Sequence, residues 1–118
     1  MQTDPIHPAV RVGHVHLNVA DLDRSLAFYR DALGLEVKAD GRAAGIDAVF
    51  LAAGDYHHHI GVNSWQSRGG GPPPPGSAGL ERFTIALPSE EARDEVATRI
   101  RGSDGRDPDG IEMRLIAQ

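Results

Sequence analysis

The stretch that decides the fold is residues 13–35, which read GHVHLNVADLDRSLAFYRDALGL. Along residues 10–19, aliphatic side chains alternate with other residues, and this two-residue period is typical of a β-strand with one face in a core. The opposite face is unusually polar, and it carries His14, His16 and Asn18. These residues predict a first strand whose outer face is rich in hydrogen-bonding groups.

A helix is predicted directly after this strand. Asp21 is a good N-cap residue, and Gly34 stands where a glycine commonly ends a helix. Between them, apolar residues recur at helical spacing. This stripe consists of Leu22, Leu26, Tyr29 and Leu33. The pattern predicts a helix over residues 22–33 with one face in the core.

Three more strands are predicted before the middle of the chain. They cover residues 35–39, 46–52 and 56–63, and glycine-containing turns separate them. The first module, about residues 10–63, therefore reads β-α-β-β-β. Residues 64–78 form a linker in which three glycines precede four prolines. Such a linker is either an ordered spacer between two halves or a lid over a ligand site.

The second module, about residues 79–118, begins like the first. A strand is predicted over residues 79–87, and Ser89 is the N-cap of the helix that follows. A last strand covers residues 111–117. Only nine residues, 102–110, separate the helix from this strand, and two further strands with their turns do not fit there. The predicted fold class is thus α+β with an incomplete second repeat.

Size and composition exclude several classes of protein. The 118 residues fit one domain, and a net charge of −5 with a pI near 5.6 argues against a nucleic-acid partner, which requires a basic surface. Cysteine is absent, which excludes disulfides and thiolate metal sites. No run approaches the ~18 apolar residues of a membrane span, so we expect no membrane association and a cytoplasmic location.

Three segments resemble one known superfamily. Residues 13–35 resemble the opening of the vicinal-oxygen-chelate superfamily, which includes glyoxalases, bleomycin-binding proteins and extradiol dioxygenases. Residues 107–112, DPDGIE, resemble the turn and last strand that close that fold, and residues 56–65, YHHHIGVNSW, are most similar to its catechol-type dioxygenase branch. The resemblance implies two βαβββ-type modules that form a curved mixed sheet around a cavity, here with the second module incomplete. It says little about the reaction, since one fold hosts many functions.

The resemblance also implies a metal or substrate site built from inward side chains on the first and last strands of each module. Carried over position by position, it implies metal ligands at His14, His59 and Glu112, for Fe, Mn, Ni or Zn. The position before Phe83, which should hold a histidine, holds Arg82. A guanidinium cannot deprotonate to bind a metal, so the usual dioxygenase triad of two histidines and a glutamate is broken at its middle member. The implied metal site is therefore an alternative triad, or it is absent.

Other residues are candidates for catalysis or ligand contact. In a metal-dependent enzyme, His16 or Arg82 would orient the substrate or act as an acid or base. Arg82 has two alternatives, a buried ion pair with Glu112 or a bidentate contact with an anionic ligand. His16 and His57 also fit structural, hydrogen-bonded roles, and His58 is expected to point away from the face of His57. The predicted ligand pocket consists of Phe50, Tyr56, His57, Trp65 and Phe83.

Two functions follow from these residues. The first is a divalent-metal-dependent enzyme that acts on a small oxygenated substrate, aromatic or not. The second is a metal-free relative that sequesters an aromatic antibiotic or a similar molecule. In either case we predict a homodimer, because an incomplete second module leaves sheet edges uncovered. In relatives the site is often shared between chains, which would bring His14 and His59 to Glu112 and Arg82 of a second protomer.

Overall fold

The first half of the chain is a β-α-β-β-β module. The computed structural model describes residues 3–118. One sheet contains, side by side, β1 (Val15–Asn18), β4 (Ile60–Asn63), β3 (Ala48–Ala52) and β2 (Glu36–Asp40). β1 runs parallel to β4, and the other neighbouring pairs are antiparallel. The mixed sheet predicted for this half is confirmed.

The first helix begins where the sequence predicts. α1 (Leu22–Leu26) is capped by Asp21, whose Oδ1 accepts a hydrogen bond from the Arg24 amide at 3.0 Å. The helix continues as a wider π-helical segment (Ala27–Ala32) and ends before Gly34. Gly34 has a φ of +96°, a conformation that glycine adopts without the steric cost of a Cβ atom. The predicted cap and the predicted end of this helix are confirmed.

The second half is a shorter β-α-β unit. β5 (Arg82–Leu87) and β6 (Glu112–Ala117) form a parallel two-stranded sheet, and α2 (Glu90–Arg99) connects them. Ser89 caps α2, because its Oγ accepts a hydrogen bond from a first-turn amide at 3.1 Å. The described part of the chain has no further strand between α2 and β6. The α+β fold with an incomplete second module is therefore confirmed. Within residues 3–118, no helix combines the length and apolar character needed to cross a membrane.

Both halves contribute to one hydrophobic core. The helix stripe predicted from the sequence packs on the inner face of the four-stranded sheet, and the π-helical segment adds Phe28 beside Tyr29, with ring centroids 5.1 Å apart. Phe83, Ile100 and Met113 from the second half belong to the same cluster. This shared core fixes where the second module lies relative to the first.

Several strands begin later than the sequence predicts. β1 starts at Val15 rather than Val10, and Val12 is 93% exposed. A strand requires a hydrogen-bonded partner, and the residues of β4 that pair with β1 start at Ile60. Residues 56–59 also form a loop instead of the start of β4, although the His59 amide and carbonyl are bonded to Leu51 and Val15. β3 and β5 also begin two and three residues later than predicted.

The linker lies against the end of β1. Ser67 Oγ donates a hydrogen bond to the Val19 carbonyl at 2.7 Å, and the Gly69 amide donates to the Ala20 carbonyl at 2.9 Å. Together with Asn18 and Asp109, the linker lines a cavity of about 310 Å³. Because the Asn18 side chain is on the polar face of β1, this cavity adjoins that face.

Candidate ligand-binding site

Three strands place His16, Gly61 and Phe50 in one row across the outer face of the four-stranded sheet. Gly61 is the register partner of both other residues. The His16 and Phe50 rings lie over it, with centroids 6.0 Å apart. A Cβ atom at residue 61 would lie 2.7 Å from His16 Nδ1 and 3.2 Å from Phe50 Cδ1. The two rings therefore occupy space that only a glycine leaves free.

The next row of the sheet holds a buried polar side chain. Asn63 is 2% exposed, and its Nδ2 lies 2.6 Å from His16 Nε2. Its Oδ1 accepts a hydrogen bond from the backbone amide of Trp65 at 3.3 Å. Neither Asn63 nor Gly61 is among the site residues predicted from the sequence. A signal was present, because glycine and asparagine are both depleted inside strands and each marks a special position there.

Further rings extend this row in both directions. The His14 ring lies 4.3 Å from His58 between centroids, and His58 lies 4.9 Å from Phe50. At the other end, Trp65 lies 6.2 Å from His16 and is 62% exposed. We call this surface the ring-lined face, and it consists of His14, His16, Phe50, His58 and Trp65.

The three consecutive histidines do not alternate as predicted. Residues 57–59 belong to a loop, so the two-residue period of a strand does not apply to them. His58 was expected to point away, but it contacts the ring-lined face through His14, and its Nδ1 lies 2.9 Å from His57 Nδ1. Loss of surrounding water lowers the pKa of His58, and the neighbouring imidazoles lower it further. His58 therefore favours its neutral form.

His59 and Tyr56 form a separate stack in the same loop. Their ring centroids are 4.4 Å apart, and His59 Nδ1 accepts a hydrogen bond from the Ala53 amide at 3.2 Å. Tyr56 also lies 4.1 Å from the His57 ring. Partial burial lowers the pKa of His59, and the charge of His57 adds to this effect. The Nδ1 atom of His59 therefore already has a hydrogen-bond partner, the Ala53 amide.

Arg82 and Glu112 lie opposite each other on β5 and β6. Arg82 Nη1 is 3.5 Å from Glu112 Oε2 and 3.2 Å from Glu81 Oε1. The side chains of Arg82 and Glu112 are 36% and 35% exposed. Of the two alternatives for Arg82, the structure has the ion pair, although this pair is half-exposed rather than buried. Such a pair contributes about 0–1 kcal/mol to stability.

Phe83 is a residue of the hydrophobic core. It is 9% exposed and belongs to the hydrophobic core together with its register partner Met113. Successive side chains of a strand point to opposite faces, so the outward position of Arg82 directs Phe83 inward. The prediction that Phe83 contacts a ligand is therefore not supported by its position.

Comparison with known proteins identifies the family. The family model described as the Glyoxalase/Bleomycin resistance protein/Dioxygenase superfamily matches residues 11–107. The chain belongs to this superfamily. A curated relative, the catechol-2,3-dioxygenase of Bacillus subtilis (strain 168), is 46% identical over 90 residues. The match covers 76% of this chain and 31% of that enzyme, so the chain spans about a third of the length of its curated relative.

Solved structures of the superfamily share the fold. Lactoylglutathione lyase from Agrobacterium tumefaciens has a TM-score of 0.65 at 22% identity, and the alignment covers 94% of this chain and 96% of that one. A glyoxylase/bleomycin resistance protein/dioxygenase domain from Frankia sp. EAN1pec has a TM-score of 0.74 at 19% identity, covering 92% and 91%. At such identities the likeness shows the fold alone.

The superfamily implies a metal ion, but the residues predicted to hold it do not fit one. His14 contacts His58, while His59 is engaged within its own loop. Glu112 pairs with Arg82, whose permanent positive charge opposes a cation beside it. In the part of the chain that the structure describes, no three His, Cys, Asp or Glu residues are grouped so that they could hold a metal ion. One chain therefore supplies the ring-lined face but not the predicted triad.

Proposed function

We propose that this chain binds a small, planar, oxygen-bearing molecule on the ring-lined face. The observation that carries this proposal is the unbroken series of rings, whose neighbouring centroids are 4.3–6.2 Å apart. Aromatic ligands stack on such surfaces, and a small number of polar groups fix their orientation. The imidazoles supply these polar groups at the same place. Sequestration of an aromatic antibiotic or a similar molecule is the role that we propose for this binding.

Catechol or 2-naphthol is expected to change the fluorescence of Trp65 in a saturable way. Trp65 is the only tryptophan of the chain and lies on the ring-lined face, so its emission reports on this site. Phe50→Ala is expected to weaken binding roughly 3- to 10-fold, since an aromatic contact is worth about 0.5–1.5 kcal/mol. Dissociation constants from fluorescence titration of both proteins provide the measurement.

Ile46→Ala is the matched control for this titration. Ile46 is also an exposed apolar residue, but it lies outside the ring-lined face, so its removal should leave the affinity unchanged. Absence of saturable binding with both compounds would contradict the proposal. Equal affinities of the wild type and Phe50→Ala would show that binding occurs elsewhere.

A second candidate is a divalent-metal-dependent enzyme of the dioxygenase or lyase type. It is favoured by the 46% identity to a catechol-2,3-dioxygenase, over a match that spans 31% of that protein. Since His14, His59 and Glu112 of one chain form no metal-binding group, Fe, Mn, Ni or Zn would need donors from two chains. For this candidate we propose a homodimer in which a second protomer brings Glu112 and Arg82 to the ring-lined face.

Native mass spectrometry is expected to find a homodimer without stoichiometric metal. β6 is paired on one side by β5, and on its other side only the bridge from Arg106 to Glu112 covers it within residues 3–118. Such a free strand edge favours pairing with a second chain, usually with two-fold symmetry. A monomer at micromolar concentration would contradict the dimer. One metal ion per chain, lost in both His14→Ala and Glu112→Gln, would favour the enzyme over the metal-free binding protein.

A further inference from the structure

We infer that Asn63 is a positioning residue that fixes the tautomer of His16, so that the ring-lined face presents an N–H donor at His16 Nδ1. The ligand group that suits this donor is an acceptor oxygen, a carbonyl or a phenolate, on a planar ring. The ligand part of this inference rests on the proposed function. The tautomer part is independent of any ligand.

The orientation of the Asn63 amide follows from its second neighbour. The backbone amide of Trp65 can only donate a hydrogen bond, so the atom of Asn63 that faces it at 3.3 Å is the carbonyl oxygen. The NH2 group of Asn63 therefore faces His16 Nε2, at 2.6 Å. A neutral imidazole has one donor and one acceptor nitrogen, and Nε2 is the acceptor here. The ring hydrogen must then be on Nδ1.

Burial makes this arrangement costly to reverse. Asn63 is 2% exposed and lies at the end of β4. Its backbone carbonyl accepts a hydrogen bond from the Val19 amide at 2.8 Å. If the amide flipped, its NH2 group would face the Trp65 amide and its oxygen would face Nε2. A donor would then oppose a donor beside a side chain that is almost fully buried, which costs about 1–3 kcal/mol for each unpaired buried group.

The Nδ1–H group is left for a ligand. Within residues 3–118, the contact with Asn63 is the only hydrogen bond of the His16 ring. Nδ1 packs over Gly61, where a Cβ atom would lie only 2.7 Å from it, and the Phe50 ring lies beside the same position. Trp65 borders the other side of His16. His16 is exposed, so a planar molecule stacked on the solvent side of the neighbouring rings would direct an oxygen to Nδ1, whereas an ammonium group would place a donor against a donor.

Nitrogen-15 NMR of the histidine side chains tests the tautomer in the protein without a ligand. At about pH 8, we expect the neutral His16 ring to carry its hydrogen on Nδ1 and none on Nε2. Asn63→Asp replaces the NH2 donor by a second acceptor oxygen, so the proton is expected to move to Nε2. Asn18→Asp is the matched control, because it adds the same charge in the same row of the sheet and should leave Nδ1 protonated.

A proton at Nε2 in the wild type would overturn the inference, whatever the variants do. An unchanged tautomer in a folded Asn63→Asp protein would also overturn it. The wild-type spectrum decides the question even if Asn63→Asp does not fold.

The ligand class is tested by shift titrations of the same NMR signals with acetophenone and phenol. Acetophenone offers only an acceptor oxygen, so Asn63→Asp, which turns Nδ1 into an acceptor, is expected to weaken its binding about tenfold, or about 1.4 kcal/mol. Phenol can donate its own O–H to the altered Nδ1 and should lose much less. Equal losses for both compounds would overturn the ligand class. Failure of both to bind the wild type, with the predicted tautomer present, would contradict the proposed function but not the role of Asn63.

Discussion

Asp107→Ala is expected to lower the free energy of unfolding by about 3–5 kcal/mol, because it leaves one buried and two partly buried donors without an acceptor. Asp107 is 5% exposed. Its Oδ2 accepts a hydrogen bond from the Tyr29 hydroxyl at 2.6 Å, and its Oδ1 accepts from the amides of Asp109 and Ile111, both at 2.9 Å. Tyr29 belongs to the first module and Asp107 to the second, so this carboxylate holds the two modules together. Urea denaturation of the variant measures the loss.

Two further variants separate this network from a general effect of removing an acid. Asp107→Asn keeps an oxygen for the two backbone amides and loses only the charge-assisted bond to Tyr29, so we expect a loss of about 1–2 kcal/mol. Asp55→Ala removes an acid from an exposed turn and should be within about 0.5 kcal/mol of the wild type. A loss below about 1 kcal/mol for Asp107→Ala would contradict the importance of the network.

The first module could be predicted from the sequence because its signals are local. The N-cap at Asp21 and the glycine at residue 34 mark the ends of one helix, and both have the predicted roles in the structure. The apolar stripe between them is buried as expected. Each of these features depends on residues within a few positions of one another along the chain. Such local features can be recognised from the sequence alone.

The ends of the strands could not be predicted in this way. Residues 10–14 continue the alternation of β1, yet they form no strand, because β4 offers no partner before Ile60. Alternation shows which residues could share a face, whereas pairing depends on a segment more than forty positions away. The loop at residues 57–59 shows the same limit. There the alternation placed His58 away from the polar face, but His58 lies beside His14.

The candidate site was predicted in part for a related reason. Residues on one strand face, such as His14 and His16, could be assigned to a common surface from their spacing. The contact of Arg82 with Glu112 required the parallel register of β5 and β6, and sequence left it as one of two alternatives. Asn63 was missed because its role depends on His16, which is far from it in sequence and beside it in the sheet.

Membership of the superfamily does not determine which reaction or ligand the site serves. The same fold supports unrelated reactions and simple binding, so the shared architecture cannot choose between the metal-dependent enzyme and the binding protein. In this chain the rings of the ring-lined face lie next to one another, while Glu112 is paired with the guanidinium of Arg82 instead of a metal. A ligand that needs stacking and one oriented hydrogen bond is compatible with these residues as they stand. A metal-dependent reaction requires a further set of donors.

Raising the pH above 10 is expected to destabilise the protein through Tyr29. Tyr29 is fully buried, and burial raises the pKa of its hydroxyl well above the ordinary value of 10.0, with the hydrogen bond to Asp107 and the Asp107 charge adding to the effect. The unfolded chain releases this proton near pH 10, whereas the folded chain retains it. Above pH 10 the unfolded state thus binds fewer protons, so the free energy of unfolding falls as the pH rises, by about 1.4 kcal/mol per pH unit.

Denaturation curves at several pH values between 9 and about 12 measure this slope, and a loss of roughly 2–3 kcal/mol is expected over the range. Tyr29→Phe should be less stable near neutral pH, because the hydrogen bond to Asp107 is gone, but its stability should be nearly flat above pH 10. Tyr56→Phe is the control and should keep the wild-type slope. Lysine titration contributes little to the slope of stability against pH, since Lys38 is the only lysine in the chain. A wild-type slope in Tyr29→Phe would show that the alkaline loss of stability comes from another group.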